Sequence, residues 1–249
     1  MKQQIYEIVS QKYSLEESTV KKIEHFLECL NQESMYSFFE VEQWIENSIS
    51  ELQATVKEVP LSSVTKSDSG WYNDSETGNL KHKSGGFFEV IGVDVDTSMR
   101  ESGSGWKQPM VDQGTESSVA GIIKKKFNGI AHYLLQAKFE PGNYGDIQIS
   151  PTLQVTYSNL NKAHGGRRPR FTEYFDNSKN VSVLYEQWLP EDGGRFYKKR
   201  VKNMLVELDE EQNIDFPSSF MWLTMNQIKK LMFRDNIVNP HVRSIISHL

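Results

Sequence analysis

Apolar residues recur at helical spacing over the first fifty or so positions and then at strand spacing, and the change near Pro60 divides the 249-residue chain. Ser14 followed by Glu17 fits a capping box, in which each residue satisfies a free N–H of the other's turn. Val20, Ile23, Phe26, Leu27 and Leu30 then fall on one stripe, predicting a first amphipathic helix. Val41, Trp44, Ile45, Ile49 and Leu52 form a second stripe, predicting a helix from Phe38 to about Val56 whose aromatics pack into a core. The Ser-, Asp-, Asn- and Gly-rich stretch from Val64 to Asn79 reads as a loop. Strand-like runs follow at Phe87–Val95, Gly121–Lys126, Ala131–Phe139, Asp146–Ile149, Leu153–Tyr157 and Phe196–Leu208. Thr224 with Gln227 makes a further capping box, and Asn239 before Pro240 reads as an N-cap with proline at the first helical position. No fixed-period repeat is present. The expectation is a helical N-terminal arm over residues 1–58 and one α+β module over residues 59–249.

Side chains alternate between the two faces of a strand, and three of the runs alternate apolar with polar. Tyr133, Leu135, Ala137 and Phe139 stand against Gln136, Lys138 and Glu140; Ile147 and Ile149 against Gln148 and Ser150; Leu153 and Val155 against Gln154 and Thr156. Paired in one sheet, they predict an apolar face and a polar face. A solvated face alternates in the same way. This one, however, is rich in amides and hydroxyls, which donate and accept hydrogen bonds and suit a polyhydroxylated ligand. The turn after Glu140, with Gly142, Asn143 and Gly145, either brings backbone close to a ligand or simply closes a hairpin.

Charge narrows the classes. Lys and Arg number 28 against 33 Asp and Glu, a net charge of −5, which argues against a general nucleic-acid coat. No apolar run approaches the ~20 residues that span a bilayer, and residues 1–18 lack the apolar core of a secretory signal. The expected location is therefore the cytoplasm. A single cysteine, Cys29, excludes an intrachain disulfide and a cysteine zinc cage. HExxH, GxSxG, Walker and GxGxxG motifs are all missing, and no histidine pair has zinc spacing. Two basic segments stand out in this acidic chain, Lys162–Arg170 and Arg195–Lys202, each with adjacent glycines. Arginine forks and close backbone N–H groups suit a phosphate, although a charge run is as readily a solvated face.

A longer series of residues then carries a resemblance. Leu80-Lys-His-Lys-Ser-Gly-Gly-Phe-Phe-Glu-Val-Ile-Gly-Val93, Trp106-Lys-Gln-Pro109, Gln136-Ala-Lys-Phe-Glu-Pro-Gly-Asn143, Gln148-Ile-Ser-Pro-Thr-Leu-Gln-Val-Thr156, Ser158-Asn159 and His164-Gly-Gly166 follow in fixed order. From about Val56 onward the chain resembles the NDP-hexose 2,3-dehydratases of deoxysugar biosynthesis. The resemblance implies a Nudix-like mixed sheet flanked by helices, without the acidic Nudix box, and a reaction that needs no metal or redox cofactor. It departs from the family at Leu189-Pro-Glu-Asp-Gly-Gly194 and at Asn239-Pro-His-Val-Arg243, where the family has an Asn-Met-Asp-Ala-Arg-like run.

The implied substrate is a nucleoside-diphosphate 4-keto-6-deoxyhexose that loses its C3 proton and its C2 hydroxyl. Glu140 is expected as the base, Lys138 as the cation facing the enolate, His164 as the acid and His82 as a second acid–base group. Arg167, Arg168 and Arg195 are expected on the diphosphate and Trp106 in stacking. Gln136, Asn143, Gln148, Gln154, Thr156 and Asn159 are expected elsewhere along the substrate. Family members carry two such modules in tandem, so a single module implies a homodimer, and an unstable diketo product implies a downstream NAD(P)H-dependent ketoreductase. Two other readings compete: a non-catalytic sugar-nucleotide-binding subunit, and a Nudix hydrolase requiring a divalent metal.

Overall fold

The structure, a computed structural model, describes residues 17–66, 68–98, 105–157 and 168–249 together with positions 7, 9 and 12. Helix α1 (Glu17–Leu30) buries Leu27 but leaves Phe26 and Leu30 exposed, so only part of its predicted stripe is covered. Ser14, half of its predicted cap, lies outside the described residues. Helix α2 (Phe38–Ser50) opens on a capping box between Ser37 and Glu40 and buries Val41, Trp44 and Ile45. It stops one turn and more before Val56. The Trp44 indole donates to the Ser218 carbonyl at 2.8 Å, which ties α2 to the main body. A short helix α3 (Leu61–Lys66) enters the stretch expected as loop. No helix among the described residues is long and apolar enough to cross a membrane.

Two sheets follow. Strands β1 (Trp71–Asn73), β2 (Leu80–His82), β3 (Glu89–Val95) and β4 (Trp106–Asp112) form an antiparallel sheet in sequence order. The larger, mixed sheet contains β5 (Glu116–Phe127), β6 (Ile130–Lys138), β7 (Gln148–Ser150), β8 (Leu153–Thr156), β9 (Ser182–Pro190), β10 (Arg200–Leu208) and β11 (Phe220–Thr224). Its main path is β11-β6-β5-β10-β9, with β10 running parallel to β5. Helices α4 (Met225–Met232) and α5 (Pro240–Ile246) complete an α+β architecture. Both start as their sequences predict. Thr224 and Gln227 close a capping box, and the Asn239 side chain accepts the His241 N–H at 2.9 Å.

The sheet is not apolar on one face and polar on the other. β5 is buried at every position from Ser117 to Lys125, between two apolar clusters. One holds Ala120, Ile122, Tyr133 and Leu135 with α2, α4 and α5; the other holds Val119, Ile123, Leu134 and Met204 with Phe171, Tyr174 and Phe175. β5 and β6 pair only from Ile123 with Leu134 to Phe127 with Ile130. Beyond that point they separate, and the hairpin of β7 and β8 fills the gap, β7 on β6 and β8 on β5. Thr152, at the bend of the hairpin, accepts the Ile123 N–H at 2.9 Å and donates to the Leu134 carbonyl. The split also reverses the parity assumed from sequence. Gln154 and Thr156 sit opposite Ala120 and Ser118, whereas Gln136 and Lys138 share the parity of Leu134. By parity the two polar sets belong to opposite faces, and only because the strands part does Lys138, at the end of β6, reach the same cleft as Gln154 and Thr156.

Candidate active site

Where the strands separate, a cleft of about 270 Å³ opens between the end of β6, β8, the start of β10 and α5. Lys138 is the last residue of β6, and its ammonium lies 2.8 Å from the Glu140 carboxylate and 3.4 Å from the Gln154 carbonyl oxygen. The Asn143 amide donates to the Lys138 carbonyl at 3.4 Å, so the Gly-rich turn folds back on the strand end that carries the lysine. Across the cleft, the Glu191 N–H donates to the Lys199 carbonyl at 3.0 Å and their side chains pair at 3.5 Å. The Lys199 ammonium sits 4.6 Å from the Phe196 ring centroid and its side chain is 9% exposed.

His241 projects from the first turn of α5 into this ring of charge. Burial holds its pKa below the usual 6.5; Glu191 opposes that shift, Lys199 reinforces it, and Glu140 and Lys138 act the same way more weakly. With the imidazole neutral, two ammonium and two carboxylate groups balance. The Gln154 Oε1 is buried with no hydrogen-bond partner among the described residues. A buried acceptor of this kind costs stability unless a donor reaches it, and here it sits in a cleft wall.

Of the residues singled out in the sequence, Lys138, Glu140, Gln154 and Thr156 line the cleft. Asn143 supports it from behind. Gln148 is spent on the loop before α5, donating to the Asn236 carbonyl at 3.3 Å and accepting from Asn239 at 3.1 Å. Gln136 lies on β6 opposite Ser150 and Phe220 and does not line the cleft. Arg195 is exposed and held by Asp192 at 2.8 Å, on the same turn as Glu191 and Lys199. That turn precedes β10, so the strand expected from Phe196 begins only at Arg200. Arg168 pairs with Asp176 and borders a separate groove with Arg170 and Lys179. Trp106 and His82 belong to the smaller sheet. The Trp106 indole donates to Gln108 at 2.7 Å, while His82 contacts the Ser69 carbonyl and Ser84 and packs on Trp71 and Phe87. His164, Asn159 and Arg167 lie outside the described residues. Glu191, Lys199 and His241 emerge only from the fold. The traces they left in the sequence were a basic run, an acidic residue in an atypical loop, and a histidine two residues after an N-cap.

A profile of the NDP-hexose 2,3-dehydratases matches residues 39–249. The chain is 37% identical over 204 residues to a dTDP-4-dehydro-6-deoxy-alpha-D-glucopyranose 2,3-dehydratase of Saccharopolyspora spinosa, covering 82% of this chain and 40% of that protein. It is 39% identical over 183 residues to an enzyme of the same name from Amycolatopsis orientalis, covering 72% and 38%. The chain thus spans about two-fifths of the length of these curated relatives. Among solved structures it is similar to an ADP compounds hydrolase, at a TM-score of 0.38 and 12% identity over 65% of this chain and 83% of that one. The matched range includes the residues that build the cleft, from Lys138 to His241, and the chain belongs to the NDP-hexose 2,3-dehydratase family.

Proposed function

We propose that the cleft eliminates water across C2–C3 of an NDP-4-keto-6-deoxyhexose. The observation that carries this reading is the Lys138–Glu140 ion pair, set in one cleft with the His241 imidazole and an amide oxygen that has no partner among the described residues. The C4 ketone acidifies the C3 proton, and its removal places negative charge on the C4 oxygen. Lys138 meets that charge, and Glu140, 2.8 Å from the ammonium, holds it in place. A preorganised donor of this kind contributes about 10²–10³-fold. The Gln154 Oε1 accepts a sugar hydroxyl, and Arg195, on the turn of Glu191 and Lys199, meets the diphosphate. Loss of the C2 hydroxyl leaves an enol that tautomerises to the 3,4-diketo-2,6-dideoxy sugar nucleotide.

The module extends from α2, whose Val41, Trp44 and Ile45 share the core of the larger sheet, through to residue 249. Two modules associate as a homodimer in the cytoplasm, and an NAD(P)H-dependent ketoreductase consumes the reactive diketone. Incubation with dTDP-4-keto-6-deoxyglucose tests the reaction: the sugar nucleotide loses the mass of one water. Recovery of unchanged substrate whose C3 proton does not exchange in D₂O overturns it. Light scattering at micromolar concentration tests the dimer, and a monomeric mass refutes it.

A further inference from the structure

We infer that His241 is the catalytic group that takes the C3 proton and returns it to the departing C2 hydroxyl, an inference resting on the dehydration reading above. Among the described residues, Lys138, Glu140, Glu191, Lys199 and His241 are the titratable groups that line the cleft. Four of them are already committed in pairs, Lys138 with Glu140 at 2.8 Å and Lys199 with Glu191 at 3.5 Å. Among these described residues, His241 is the one in neither pair. Its backbone is fixed by the Asn239 cap, so the imidazole is carried on a helix start anchored by the buried Val242, Ile245 and Ile246.

The chemistry asks for a group that is neutral before the reaction and cationic within it. A buried imidazole beside two ammonium groups rests in the neutral form, which is a base. Once it takes the C3 proton, Glu140 and Glu191 stabilise the imidazolium, and the enolate at C4 adds a further anion. The C3–H electrons form the enolate; the enolate collapses to the C2=C3 double bond and expels hydroxide from C2. The imidazolium gives that hydroxide its proton, so water leaves and His241 is neutral again. One group serves both steps, without an oxidant, a reductant or a second acid.

The test uses the whole chain with dTDP-4-keto-6-deoxyglucose. His241→Asn is expected to lower kcat by about 10²–10⁴-fold, the range for a positioned acid–base group, while dTDP affinity stays within a few-fold. The acid limb of the wild-type rate, expected below pH 6.5, disappears with it. Two further variants read the same imidazole without removing it. Lys199→Met deletes a cation that disfavours the imidazolium and moves the acid limb to higher pH. Glu140→Gln deletes an anion that favours it and moves the limb to lower pH. These shifts decide the matter if His241→Asn fails to fold. Wild-type turnover with full activity in His241→Asn, or an acid limb unmoved in both charge variants, overturns the inference and leaves the dehydration standing. A wild-type chain that neither exchanges C3 hydrogen nor loses water fails the dehydration reading itself.

Discussion

Thr152 holds the backbone N–H of Ile123 at 2.9 Å, in the place a neighbouring strand's carbonyl would otherwise take. The same hydroxyl passes its proton to the Leu134 carbonyl, so one side chain bridges β5 and β6 where they separate. Thr152 is 2% exposed, so both of its partners are shielded from solvent. Thr152→Val keeps the shape and strands both a donor and an acceptor. It is expected to cost about 1–3 kcal/mol per stranded group at most, read as a lower urea midpoint. Because the bridge lies where β5 and β6 part and the β7–β8 hairpin enters, kcat should fall further than the loss of folded protein explains.

Gly121 sits beneath the Phe175 ring, and a Cβ there would overlap three ring carbons. Gly121→Ala is therefore expected to destabilise by about 1–3 kcal/mol, the usual cost of overpacking. Phe175→Leu in the same chain should recover part of the loss. Thermal unfolding of the two single variants and the double variant checks the coupling.

Lys138→Met removes the ammonium proposed to meet the C4 oxygen and retains much of the side-chain volume. The expected outcome is a fall in kcat of about 10²–10³-fold with little change in dTDP affinity. C3 exchange in D₂O should slow in parallel, since the enolate is what the lysine stabilises. A loss confined to KM would place the lysine in substrate binding alone.

Glu28, on α1, accepts from the Tyr133 hydroxyl at 2.9 Å and from Lys124 at 3.1 Å, with His25 at 3.6 Å. Burial pushes its pKa up, but these partners together pull it from 4.5 down to about 2. A carboxylate depressed on folding stabilises the native state above pH 4.5 and loses that contribution as the pH falls toward about 2. Glu28→Gln should lower stability at neutral pH, on the order of 2 kcal/mol, and flatten the acid side of the stability profile. Urea unfolding at stepped pH measures both.

Local signals were legible along the chain and tertiary ones were not. The caps at Thr224 and Asn239 need only three neighbouring residues, and both form as read. The strands around Leu134 and Val155 were visible from alternation alone. Which face each polar residue takes was hidden, because the answer depends on a hairpin entering between β5 and β6. Gln136 and Gln154 look equivalent in sequence, yet only Gln154 lines the cleft. The Lys138–Glu140 pair could be found because both residues sit at one strand end. Glu191, Lys199 and His241 could not, since a turn and a helix far along the chain bring them opposite Lys138. Trp106 and His82 shared a motif series with the cleft residues, but the fold gives them to a different sheet.

The parallel pairing of β10 with β5 has a kinetic consequence. Arg200 and Glu116, 84 positions apart in the chain, form an ion pair where that pairing begins. Lys199 and Val201 reach the cleft only after this long loop has closed, whereas Lys138 and Gln154 are delivered by contacts close in sequence. Contacts of such separation are made late and slowly during folding. Half of the charged ring is therefore expected to assemble before the other half, so that recovery of ligand binding after dilution from denaturant lags behind the return of strand signal.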